Sequence, residues 1–211
     1  MEHEVTVVES GYRVTLTYNL YFTEPTHSNT LISPAMTPAE IALKDSLSTL
    51  LLDDEFLPDG GRLGFGLSFQ YPIKGDLGSV NGCLKGSDAV IKRVCTDLAL
   101  NASLKIMYSD NNQYRGTTVV MVDNIVDLSD MGAVEDDVPG LIQRYYKGVV
   151  VVDQDREYGV TEEIHWVTPM TTQTSVKSEF VAYGNQAEMG YLYGNVCLIV
   201  DVGKPGQRET L

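Results

Sequence analysis

His3-Glu4-Val5-Thr6-Val7-Val8-Glu9-Ser10-Gly11-Tyr12-Arg13-Val14-Thr15-Leu16-Thr17-Tyr18-Asn19-Leu20-Tyr21-Phe22 decides how the chain is read. Glu9-Ser10-Gly11 divides it into two strand patterns, about 3–8 and 12–22, joined by a tight turn whose glycine can take positive φ. Past the turn the residues alternate. Tyr12, Val14, Leu16, Tyr18 and Leu20 share one face; Arg13, Thr15, Thr17 and Asn19 share the other. Period-two alternation of this kind marks a strand with two chemically different faces. The apolar face is expected to seek a core. The opposite face, with a cation and hydroxyls, suits a polar lumen.

Around this stretch the composition sets limits. At 211 residues the chain suits one large domain, or one domain with an appendage. Its apolar fraction of 43% supports a proper core. The net charge of −14 repels phosphate backbones, which argues against nucleic acid as a partner. The acidity gathers in Asp53-Asp54-Glu55, Glu135-Asp136-Asp137 and Asp153, Asp155 and Glu157, all read as solvated loops. Cys83, Cys95 and Cys197 form no metal spacing, and an odd count fits a reducing compartment. The start has no basic segment followed by an apolar run, so no secretory signal is read. No apolar stretch is long enough to span a bilayer. An intracellular setting, cytoplasmic or nuclear, is expected.

Beyond the ribbon, 23–35 reads as loop. Thr37-Pro38-Ala39-Glu40 is a capping box that opens a helix ending near Leu52–Phe56, with Ile41, Leu47, Leu50 and Leu51 on one broad face. Residues 60–78 are rich in glycine. Gly64-Phe65-Gly66 lacks the third glycine and the Gly-Lys-Ser/Thr of a phosphate loop. Leu67–Tyr71 reads as a short strand. A second helix is expected within Leu84–Leu100, capped by Ser87 or Asp88, with Val90, Ile91, Val94, Cys95 and Leu98 inward. Leu104–Tyr108, Thr117–Leu128, Gly148–Val152, Ile164–Val167, Glu179–Tyr183 and Val196–Val202 read as strands. The run Val149–Val152 suggests a strand buried on both faces. Asp130–Gly140 and Asp153–Gly159 read as acidic loops, and Gly203–Leu211 as a frayed tail. Tyr183-Gly184-Asn185 and Tyr193-Gly194-Asn195 suggest similar turns of a hairpin. The fold class is thus α+β, mainly antiparallel, with two packing helices.

Few residues point to chemistry. His27 lies in a Pro/Thr/Ser/Asn loop. His165, beside Glu162, Glu163 and Trp166, reads as a structural strand residue. No Gly-x-Ser-x-Gly elbow is present, no cysteine pairs with a histidine, and no local zinc set is evident.

His3-Glu4-Val5, Val8, Gly11, Arg13 and Leu16 together resemble the end of the catalytic barrel of Fe(II)/2-oxoglutarate-dependent dioxygenases of the prolyl-hydroxylase-like class. Later stretches resemble the C-terminal extension of a fungal group of these proteins: Tyr71-Pro72-Ile73-Lys74, Leu84-Lys85-Gly86-Ser87-Asp88-Ala89, Trp166-Val167-Thr168-Pro169, Phe180–Ala187 and Cys197-Leu198-Ile199-Val200. The resemblance implies that residues 1–22 are a remnant of a double-stranded β-helix barrel and 23–211 a C-terminal α+β domain. It implies that His3 is the distal iron ligand and Arg13 the partner of the far carboxylate of 2-oxoglutarate. Thr15 shares the face of Arg13 and can add a hydroxyl contact. In that family a His-x-Asp/Glu pair completes a facial triad. No such pair occurs in the 211 residues. The expectation is therefore a C-terminal portion of a dioxygenase, its substrate unspecified and its activity missing from this chain alone. A non-catalytic acidic module for protein interaction or oligomerisation is the alternative.

Overall fold

In a computed structural model the chain divides into two units, Met1–Ala35 and Met36–Leu211. The structure describes residues 9–12, 14, 36–73, 76–112, 116–129, 133–134, 137–159, 162–183 and 187–208. In the first unit Gly11 takes φ +91°, as the expected turn requires. Tyr12 and Val14, expected on a core face, stand exposed; their expected strand partners, 3–8, lie outside the described residues.

The second unit is α+β. Its sheet has eight strands among the described residues: β1 (Gly61–Gly66), β2 (Asn101–Asn112), β3 (Gly116–Val122), β4 (Ala133–Val134), β5 (Val149–Asp153), β6 (Ile164–Thr168), β7 (Ser175–Tyr183) and β8 (Ala187–Val202). Pairing is antiparallel except for β1 with β6 and β4 with β7. Among the described residues there are four helices rather than two: α1 (Pro38–Leu52), α2 (Gly78–Asn81), α3 (Gly86–Asp97) and α4 (Val138–Tyr146).

The long strand β8 is the spine. β2 runs along Gly194–Asp201; β1 runs along Cys197–Val202 and β7 along Ala187–Asn195. Both β1 and β7 overlap β2 in register, so both lie on the edge of β8 opposite β2. They follow one another end to end there. Val196 N bridges the junction by donating to Thr174 O at 2.9 Å. Alternation along β8 builds two cores. Leu192, Val196, Leu198, Val200 and Val202 join the larger cluster with the helices. Cys197 and Ile199 join a smaller one with Met107, Val119, Met121 and Ile164 on the opposite face.

The helices show where local signals suffice. The capping box of α1 forms as expected: Glu40 N donates to Thr37 Oγ1 at 3.3 Å and Thr37 N to Glu40 Oε2 at 2.5 Å. Its inner face differs from expectation. Glu40 and Leu47 are buried, with Leu43 and Leu51 partly so, while Ile41 and Leu50 are exposed. The spacing 40, 43, 47, 51 is the helical stripe, and Ile41 and Leu50 flank it. In α3, Val94, Cys95 and Leu98 are buried and Val90 and Ile91 partly so, as the sequence suggests. Neither Ser87 nor Asp88 caps it. Lys85 is the N-cap residue without a side-chain bond, because the Asp88 carboxylate serves the loop before it. The helix α4 begins within the last residues of the expected acidic loop Asp130–Gly140. Asp137 is its N-cap, accepting from Gly140 N at 2.9 Å, and Lys147 ends it at φ +54°.

Other expectations change for steric reasons. The strand lies at Gly61–Gly66, not at Leu67–Tyr71. Its glycines are required by contact: a Cβ on Gly64 would sit 2.7 Å from the Trp166 ring, and one on Gly66 1.9 Å from Pro169 O. The valine run of β5 is not buried on both faces. β5 ends the sheet path, with Val150 buried and Val152 exposed. Tyr193-Gly194-Asn195 is no turn but the middle of β8, where a Cβ on Gly194 would meet Ile106 and the Tyr108 ring. Gly184 and Asn185 lie outside the described residues. The tail is anchored rather than frayed up to Arg208, whose guanidinium donates to Leu51 O at 2.8 Å, Asp53 O at 3.1 Å and Leu57 O at 3.0 Å, and to Phe56 O.

Candidate functional site

His3, Arg13 and Thr15 lie outside the described residues, as does His27. Among the described residues no three His, Cys, Asp or Glu side chains converge as a metal site would need. Three other places hold polar or reactive groups, and each has a definable chemistry.

The first is a polar groove of about 570 Å³ where the ends of β1, β6 and β8 meet. Register sets Arg62 of β1 opposite Asp201 of β8 and Ile164 of β6. Arg62 Nε donates to Asp201 Oδ1 at 3.0 Å, and its terminal nitrogen pairs with Glu162. Asn101 Nδ2 donates to the second Asp201 oxygen at 2.9 Å. The guanidinium fork is thus committed to two carboxylates of its own chain. Lys204 pairs with Asp59 at 3.3 Å. His165 is exposed beside Glu162 and Glu163. This is an ion-pair network that ties strands together, with neither cation left over for a ligand carboxylate.

The second is Asp88, buried at the start of α3. Its carboxylate accepts from Ser68 N at 2.9 Å, Phe69 N at 3.2 Å and Tyr71 Oη at 2.9 Å. Burial beside this carboxylate pushes the Tyr71 phenol up to about 12. Thr174 completes the loop clamp, accepting from Tyr71 N at 3.0 Å and donating to Phe69 O at 2.8 Å. Apart from the neighbouring Ser87 hydroxyl at 3.4 Å, the partners of Asp88 belong to the loop 68–71, so it orders that loop.

The third is the thiols. Burial pushes Cys95 up to about 11 and Cys197 up to about 12. Both remain protonated at neutral pH and behave as small hydrophobes, as expected of Cys95. Cys83 is exposed.

The second face of the sheet carries apolar surface outside these places. Met189, Tyr191 and Tyr193 stand 56%, 46% and 57% exposed along β8, with Lys177 Nζ 3.6 Å from the centre of the Tyr191 ring. Trp166, on β6, lines an apolar cavity with residues of β3 and β5. No protein-family model, curated protein or solved structure matches the chain. Sequence reasoning did not find the Arg62 network, whose members lie up to 139 residues apart. The cavity did leave a signal, the two-faced pattern of Ile164-His165-Trp166-Val167.

Proposed function

We propose that the chain is a C-terminal portion of an Fe(II)- and 2-oxoglutarate-dependent dioxygenase of the prolyl-hydroxylase-like class. One observation supports the reading: His3 and Arg13 stand ten residues apart, framed by Glu4-Val5 and Gly11. In this reading the imidazole of His3 is one iron ligand. The guanidinium of Arg13 holds the far carboxylate of 2-oxoglutarate by a bidentate pair, a geometry lysine cannot reproduce. Thr15, two residues on, is expected by the alternation of the sequence to share the face of Arg13. Iron in a complete facial triad supplies the oxygen chemistry in such enzymes. A single imidazole does not fit a three-ligand set, so no chemical step is assigned to this chain alone. Residues 23–211 are then the extension that accompanies the barrel, in an intracellular protein. The test is succinate formation from 2-oxoglutarate by a longer form that supplies a His-x-Asp pair. Arg13→Ala is expected to lower turnover per 2-oxoglutarate on the order of ten- to a hundredfold. Unchanged turnover refutes the reading. Calorimetry of the present chain is expected to show no micromolar site for Fe(II) or 2-oxoglutarate.

The exposed stripe Met189, Tyr191 and Tyr193 favours a second reading, an acidic module for protein interaction. Under it, Arg13→Ala leaves any 2-oxoglutarate turnover intact and alters partner binding alone.

A further inference from the structure

The path β6-β1-β8-β2-β3-β5 ends in two outer strands that come back together. Following the pairings across it, β5 and β6 run in the same direction. The segment that leads into β6 meets β5 at a backbone hydrogen bond, Glu162 N donating to Val150 O at 3.1 Å. Past that bond an apolar cavity of about 540 Å³ lies between them. Val151 and Val152 of β5 form one wall, Ile164 and Trp166 of β6 the other, with Val119, Pro169 and Met170 at the floor and end. Val152, Trp166 and Met170 remain 37–40% exposed. Neither outer strand has a further ladder partner among the described residues. The edge of β5 carries no lysine or proline to discourage pairing.

The rim has a sign. The loops that leave β5 and enter β6 carry Asp155, Glu157, Glu162 and Glu163 against Arg156. Glu162 is committed to Arg62. Glu163 lines the cavity itself and has no ion-pair partner among the described residues.

We propose that this groove binds an extended segment of a partner protein with alternating apolar and basic side chains, which adds as a strand between β5 and β6. The main chain of the segment bonds the open edges, and alternate side chains point to opposite sides. Apolar ones enter the cavity against Trp166 and Met170; a basic one meets Glu163. A second copy of this chain is a poor occupant, because a net charge of −14 sets like against like. The inference uses neither His3 nor Arg13 and stands apart from the dioxygenase reading.

Trp166 is the sole tryptophan, so its emission reports the groove. The full chain is titrated with a blocked peptide of alternating lysine and valine, with its glutamate-valine twin, and with the lysine peptide N-methylated at alternate amides. The lysine peptide is expected to shift Trp166 emission to the blue, less so at high salt. The other two peptides leave it unmoved. Glu163→Lys, at an exposed position, weakens the lysine peptide by about fivefold. Equal response to both charge forms overturns the proposal, as does full binding of the N-methylated peptide. So does no response to any peptide, or sedimentation showing that copies of the chain close the groove on each other.

Discussion

Glu40 of α1 and Arg93 of α3 form an ion pair in which the carboxylate is buried and the guanidinium half exposed. The same carboxylate closes the capping box with Thr37 N. One side chain therefore starts α1 and fixes it to α3. Arg93→Ala leaves a buried charge without its counterion and is expected to cost about 1–3 kcal/mol, the lower end reflecting the exposure of the arginine. Urea unfolding of the two forms measures this. Thr37→Ala is expected to cost about 1 kcal/mol by the loss of the cap alone.

Arg208 does for the other end of α1 what no residue of the helix does. The last turn has no basic side chain; Leu51 O within it and Asp53 O at its C-cap accept from a guanidinium 157 and 155 residues away, which also binds Leu57 O in the loop beyond. Arg208→Ala is expected to lower stability by about 1–3 kcal/mol. Arg208→Lys recovers only part, since an ammonium lacks the planar fork. Thermal melts of the three forms give the order, and amide exchange at Leu51–Phe56 is expected to quicken in the alanine form.

The two glycines of β1 differ in what presses on them. At Gly66 the obstacle is the Pro169 carbonyl, which is main chain; at Gly64 it is the side chains of Trp166 and Ile164. Gly66→Ala is expected to destabilise by about 3 kcal/mol and Gly64→Ala by about 1–2 kcal/mol, because rings can shift where backbone cannot. Gly64→Ala is also expected to move Trp166 emission to the red in the folded protein. Similar losses from both, with unchanged emission, contradict the packing described.

The buried thiols give a pH dependence of fixed sign. Cys95 and Cys197 hold their protons up to about 11 and about 12 when folded, against 9.0 for an unperturbed thiol. The folded chain therefore binds protons that the unfolded chain releases. This contribution is full below pH 9 and is lost as pH rises through about 11 for Cys95 and about 12 for Cys197. The urea midpoint is expected to be level from pH 7 to 8 and to fall above pH 9. At pH 8 a disulfide exchange reagent is expected to titrate Cys83 quickly and the other two only in denaturant.

How much of this was readable follows from where the deciding contacts lie. The helix α1 was legible because Thr37, Pro38 and Glu40 act within one turn. The inward stripe of α3 was legible for the same reason. Strand β1 was not, since its glycines answer to Trp166 and Pro169, about a hundred residues on. The start of α4 was signalled by Asp137-Val138-Pro139, but the neighbouring acids favoured a loop reading. At the candidate sites the contrast is sharper. His3 and Arg13 stand out by local spacing and by their resemblance to a family motif. The Arg62–Glu162–Asp201 network joins residues from opposite ends of the second unit, and no local pattern marks it.

The dependence of the sheet on β8 bears on how the protein is made. β1 and β2 leave a ribosome long before residues 187–202, yet both draw their central hydrogen bonds from that strand. Until it emerges, β2 can pair only with β3 and β1 only with β6, and each keeps one main-chain edge exposed. Assembly therefore waits on translation and closes late, with the slow kinetics of long-range pairing. The nascent chain, more than the finished fold, is the form that needs protection from aggregation.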